Sequence, residues 1–173
     1  MKVCLISRYF TTDKKEGVGI GRVSGKILKG LVEEGIDVWP IQTEGSGLPS
    51  YFWYTYMGIP MKLFKADIYH ALTPMEGMWL PKDKSVVTYH DLFQITNPEL
   101  VGGGMGYSKF KLEFGRRYFE YACRRASECT KLVCVSIKTA DSIVKNLNAD
   151  IRKIRVIRSG INSTLDYIGK KDN

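Results

Sequence analysis

An α/β fold, with a mostly parallel sheet and helices on both of its faces, is what three features of this sequence predict. Short apolar runs alternate with segments whose apolar residues recur at helical spacing. The first run, Lys2-Val3-Cys4-Leu5-Ile6-Ser7, lacks the alternation of a half-exposed strand, which suits a central parallel strand covered on both faces. Between it and the first helical segment stands Gly17-Val18-Gly19-Ile20-Gly21-Arg22. Glycines have no Cβ, so they let the chain turn sharply and let a phosphate or sugar approach the main chain at the positively polarised start of a helix. The same residues also serve an ordinary tight turn, and the loop alone does not choose between the two.

The remaining elements follow in order. Ile20, Val23, Ile27, Leu28, Leu31 and Val32 recur at helical spacing and predict a first helix packed on the sheet, stopped by Gly35. Ile36 to Ile41 reads as the second strand, and Pro40 places it at an edge or a terminus. Gln42 to Pro49 is a loop that leads into Tyr51-Phe52-Trp53-Tyr54-Thr55-Tyr56-Met57. Those rings either fill space against the sheet or form an interfacial or acceptor-binding surface next to Lys62 and Lys65. Ala66 to Leu72 and Lys84 to Tyr89 are the third and fourth strands, separated by a proline-bounded loop from Thr73 to Pro81.

His90-Asp91 follows the fourth strand, at the edge where open α/β sheets bind ligands. His90 could equally bond backbone there, and Asp91 could equally cap a turn. Gly102-Gly103-Gly104-Met105-Gly106 reads as a loop that could order over a ligand. Ser108 to Glu128 predicts one long, largely buried helix whose polar stripe pairs Glu113 with Arg117 and Glu120 with Arg124. Lys131 to Val135 is the fifth strand, Ser136 an N-cap for a helix carrying Ile137, Ala140, Ile143, Val144 and Leu147, and Ile154 to Ile157 the last strand.

The chain of 173 residues suits one domain, expected over residues 1–167, with 168–173 as a polar tail or the start of a linker. No apolar run approaches the ~20 residues that cross a bilayer, and Val3 to Ile6 is too short for a secretory segment, which points to the cytosol. The four cysteines show no C-x-x-C spacing and read as reduced packing residues, with no metal expected. A net charge of +8 favours polyanions, diphosphate ligands or an anionic membrane surface. Nucleic acid is disfavoured, since basic and aromatic residues do not interleave on one exposed face.

Taken together, the glycine loop, Ala66-Asp67-Ile68-Tyr69-His70-Ala71, Val86-Val87-Thr88-Tyr89-His90-Asp91, Cys134-Val135-Ser136 and Ile154-Arg155-Val156-Ile157-Arg158-Ser159-Gly160-Ile161-Asn162 resemble the N-terminal domain of family four glycosyltransferases. The resemblance covers nearly the whole chain. It implies a Rossmann-like domain, one half of a GT-B fold, that binds the acceptor and needs a C-terminal donor-binding domain with a pair of glutamates. It implies sugar transfer with retention from a nucleotide sugar, as co-substrate and without a metal, to a glycolipid, glycan or glycoside.

By the resemblance, Gly17, Gly19 and Gly21 face the donor diphosphate and sugar, and His90 is the catalytic-site histidine. Arg22, Asp91 and Ser136 are acceptor contacts or supports. One departure is Arg158-Ser159-Gly160-Ile161-Asn162, where the family more commonly has Asn-Gly-Val/Ile-Asp.

Two other functions compete. A dinucleotide-binding oxidoreductase is weakened by Ser24 at the place of the third glycine of G-x-G-x-x-G and by the want of an acid at the end of the second strand. A non-catalytic module docking a membrane or protein is the other.

Overall fold

The computed structural model describes residues 1–11, 19–43, 56, 58–63, 65–101 and 108–158. Six parallel strands form one sheet: β1 Lys2–Ser7, β2 Asp37–Gln42, β3 Ile68–Ala71, β4 Ser85–Tyr89, β5 Lys131–Cys134 and β6 Ile154–Val156, in the order β2-β1-β3-β4-β5-β6. The helices are α1 Ile20–Glu33, α2 Ile59–Lys62, α3 Pro74–Gly77, α4 Phe93–Thr96, α5 Lys109–Ser127 and α6 Ile137–Leu147. The chain steps from β1 to β2 in one direction, then passes back over β1 and runs from β3 to β6 in the other. Right-handed crossovers therefore set α1 on one face and α3, α5 and α6 on the other. This is a Rossmann-like α/β domain.

Several sequence expectations hold and have visible causes. β1 is buried from Val3 to Ser7, as a strand covered on both faces must be. β2 is an edge strand, and Pro40 pairs with Leu5 on its one occupied flank. Gly35 adopts φ 72°, where a side chain would be strained, and ends α1 by returning its N–H to Val32 while Ile36 reaches Leu31. The core runs through Cys4, Ile6, Ala71, Val87, Leu132 and Ile143, and each large aliphatic among them is worth about 1.5–3 kcal/mol of burial. Tyr89 is fully buried, and its hydroxyl donates to the Cys123 carbonyl of α5 at 2.7 Å, fastening strand to helix. All four cysteines are free and buried; burial pushes the Cys4 and Cys134 thiols up to about 11, so they pack as neutral groups.

Three expectations are corrected. The buried positions of α1 are Gly21, Ser24 and Gly25, whereas Val32 lies in water. Tyr9 to Thr11 lie against this small-residue surface so closely that a Cβ on Gly25 would stand 2.2 Å from the Thr11 carbonyl oxygen. The stretch from Thr73 to Pro81 is helical at its start, where Pro74 takes the first helical position, and the hydroxyl of the N-cap Thr73 donates to the buried Glu76 carboxylate and not to the helix backbone. α3 lies in contact with both β4 and α5: a Cβ on Gly77 would come within 2.7 Å of Val87 and 3.4 Å of Ala126.

The third correction concerns α5, which is not largely buried. Only Ala122, Cys123 and Ala126 are inside, because its C-terminal half packs while Phe110, Phe114 and Tyr121 reach the surface. Its polar stripe pairs as expected, Glu113 with Arg117 at 2.7 Å and Glu120 with Arg124 at 2.8 Å. Arg116 bridges both glutamates, and Glu113 is held down to about 2 by its two arginines. Exposed pairs of this kind contribute little, because water and salt screen them.

Gly17, Tyr51 to Thr55, Met57, the second glycine cluster, the Ser159–Asn162 stretch and the domain end near Tyr167 lie outside the described residues. Tyr56 is described, and its ring packs 5.0 Å from that of Trp79 and 5.7 Å from that of Tyr118, a packing role for that member of the aromatic run. Among the described residues no helix is long and apolar enough to cross a membrane.

Candidate functional site

The strand order reverses between β1 and β3, and at such a switch point an open α/β sheet leaves a crevice above the carboxyl ends of its strands. β1 supplies one wall. Beyond Ser7 the chain turns back over α1, and Thr11 N–H donates to the Gly21 carbonyl at 3.2 Å. Gly19 stands at the N-cap of α1 with φ 67°, exposed, and among the described residues no side chain caps the helix there. Gly21 has a different setting: it is buried, and a Cβ there would come 2.9 Å from the Tyr9 ring. Arg22 follows, half-buried on the same turn.

The other wall is the end of β4, two strand spacings or about 10 Å from β1. His90 is tied at two points. Its Nε2 lies 3.1 Å from the Leu72 carbonyl at the end of β3, and its own carbonyl accepts from the Thr139 hydroxyl at 3.1 Å. A carbonyl can only accept, so Nε2 carries the ring hydrogen. Burial lowers the imidazole below the usual histidine range, partly offset by the Leu72 bond and by Asp91. The ring is therefore neutral at physiological pH and Nδ1 holds a lone pair.

Asp91 is exposed and accepts from Phe93 N–H at 2.9 Å, which opens α4. Ser136 caps α6 by accepting from Thr139 N–H at 3.0 Å, and the two hydroxyls are 2.9 Å apart.

His90, Thr139 and Ser136 thus form one hydrogen-bonded group, with Asp91 beside it. Gly19, Gly21 and Arg22 lie together at the start of α1 on the same sheet edge. Among the described residues no hydrogen bond joins the two, as befits opposite walls of a crevice. Thr139 and Glu76 were not singled out from sequence. The signals were Ser136-x-x-Thr139 and Thr73-x-x-Glu76, two polar pairs at the spacing of an N-cap and the third residue of a helix.

A family model, Glycosyltransferase Family 4, matches residues 33–165. The chain belongs to glycosyltransferase family 4. His90, Asp91, Ser136 and Thr139 of this family 4 domain lie inside the matched span, while Gly17 to Arg22 precede it. No curated protein matches the chain. A glycosyltransferase domain implies sugar donors and acceptors as its substrates in general terms. Among the described residues of the family 4 domain, no group of three or more His, Cys, Asp or Glu side chains could hold a metal ion.

Proposed function

We propose that this domain is the acceptor-side half of a retaining glycosyltransferase, which moves a sugar from a nucleotide-sugar donor to a glycolipid, glycan or glycoside and needs a second, donor-binding domain to turn over. The observation that carries the reading is His90, fixed at ring and carbonyl on the carboxyl edge beside the β1/β3 switch point. The family match supports the class of reaction.

In this reading the donor diphosphate meets the glycine corner of Gly17, Gly19 and Gly21, where main-chain N–H groups at the start of α1 neutralise its charge without a metal. The bond between the anomeric carbon and the phosphate oxygen breaks, and the nucleoside diphosphate leaves. The acceptor hydroxyl bonds to the anomeric carbon from the same face and gives its proton to the departing phosphate oxygen, so configuration is retained. The His90 carbonyl has a second lone pair, which stabilises the positive charge that develops at the anomeric carbon, and Nδ1 accepts from a sugar hydroxyl. Arg22 and Asp91 contact the acceptor or its neighbours, and Ser136 supports the His90 wall. The net charge of +8 favours an anionic membrane surface as the place where a lipid-linked acceptor is met.

The test uses the protein expressed from its native coding sequence, incubated with a panel of nucleotide sugars and with glycoside and glycolipid acceptors. Release of nucleoside diphosphate and an NMR signal for retained anomeric configuration are expected, with His90→Ala slowing transfer by about 10²-fold or more. Inverted product, or no transfer from any donor, overturns the reading.

A further inference from the structure

We infer that Thr139 is a positioning residue: its side-chain hydroxyl sets the plane of the His90 peptide and so aims the His90 carbonyl across the crevice. The inference rests on the reading that sugar transfer takes place at His90. Its ground is where the sheet stops holding the chain. The last hydrogen bond between β4 and the end of β5 runs from Val135 N–H to the Tyr89 carbonyl at 3.2 Å. The next carbonyl, that of His90, has passed the ladder, and the bond it accepts comes from the Thr139 hydroxyl at 3.1 Å. That hydroxyl belongs to a side chain only 6 % exposed, so its bond faces little competition from water.

Counting protons gives the bond a direction. Thr139 has one hydroxyl hydrogen, and the His90 carbonyl can only receive it. The 2.9 Å contact between Ser136 and Thr139 must then be donated by Ser136, whose oxygen at the same time accepts Thr139 N–H at 3.0 Å. Each group has one compatible arrangement: Thr139 N–H to Ser136, Ser136 O–H to Thr139, Thr139 O–H to His90. The N-cap of α6 thereby orients the carbonyl through a chain of hydrogen bonds, while the Leu72 carbonyl orients the ring of the same residue. Thr139→Val keeps the shape of the side chain and removes its one donor. Thr139→Ser keeps the donor.

Both variants are made in the protein expressed from its native coding sequence. Histidine labelled at the carbonyl carbon gives one backbone signal for each histidine, and the signal that is missing in His90→Gln is that of His90. The His90 carbonyl signal is expected to move upfield in Thr139→Val, as for a carbonyl that has lost a donor, and to stay near its wild-type position in Thr139→Ser. With it, kcat should fall between ~10-fold and ~100-fold with little change in donor KM, and Thr139→Ser should recover most of the loss.

An unmoved carbonyl in Thr139→Val overturns the bond. A moved carbonyl with kcat unchanged overturns the positioning role and leaves the glycosyltransferase reading standing. A wild-type protein that transfers no sugar overturns that reading and the positioning role together, while the carbonyl signal still decides the bond itself. If Thr139→Val does not fold, Thr139→Ser alone decides: a loss of kcat in it as large as that expected for the valine variant overturns the proposal.

Discussion

The two flanks of the sheet are fastened by different means. On the β1–α1 flank, beside one side-chain joint between Ser7 and Ser24 at 2.8 Å, the closest approach is of main chain to main chain, where Gly25 lets Thr11 lie directly on the helix. On the β3–β5 flank, side chains make the joints: Tyr89 to the Cys123 carbonyl, His70 to Thr88 at 2.9 Å, Thr139 to His90, and Gly77 of α3 against Val87. A contact between backbones has no rotamer to change and no group to titrate, so it is unforgiving of added volume and indifferent to pH. A contact between side chains can give way and can be switched. The glycine corner and the wall that carries His90 therefore have different weaknesses.

The largest effect is expected on the first flank. In Gly25→Ala the new Cβ meets the Thr11 carbonyl oxygen at 2.2 Å, and neither backbone can move without displacing the β1–α1 connection. Urea unfolding should show a loss of about 4 kcal/mol. A variant as stable as wild type would mean that this flank is not closely packed.

The second effect belongs to the other flank and is a response to acid. Burial lowers His70 from 6.5 to about 4, so the folded state binds its proton later than the unfolded chain does. With the folded value depressed, the contribution to stability is complete above pH 6.5 and is lost as pH falls from there towards about 4, a total of about 3 kcal/mol. His90 shifts in the same direction and adds to the slope. Unfolding titrations should show His70→Gln losing most of the dependence in that window. An unchanged slope in the variant would assign the acid response elsewhere.

The smallest effect tells the two kinds of joint apart. In Gly77→Ala the Cβ meets a Val87 methyl at 2.7 Å, at a cost of about 2 kcal/mol. Removing both Val87 methyls with Val87→Ala should make the two substitutions less costly together than the sum of each alone. No substitution of the Thr11 side chain should rescue Gly25→Ala in this way, because the obstacle there is a carbonyl. Simple additivity at Gly77 and Val87 would erase the distinction.

Much of this architecture was legible in the sequence because its causes are local. Strand runs, the Gly35 stop, the Ser136 cap and the edge position of Pro40 follow from φ preferences and missing or supplied hydrogen-bond donors, which a residue carries wherever it is placed. The buried side of α1 was not legible. Hydrophobic periodicity weighs apolar bulk, and this helix is packed through residues that have almost none. The exposure of Phe110 and Phe114 escaped for the related reason that periodicity finds an apolar stripe without saying what covers it. At the site, His90 and Asp91 stood out as polar residues just past a strand. Thr139 did not, since nothing in a single threonine on a helix says that a carbonyl from another element, forty-nine residues away in sequence, will use its proton.

Pro40 has one more consequence, for how many strands the sheet can have. A proline has no N–H to offer, and β2 tolerates it because one flank of that strand has no neighbouring strand among the described residues. A strand from another molecule seeking to extend the sheet there would find a gap in the row of donors, and at the opposite border it would find in β6 a template only three residues long. The two borders of the described sheet thus discourage a further strand, and the same residue that marks one border in the sequence helps to keep separate copies of the chain from zipping together.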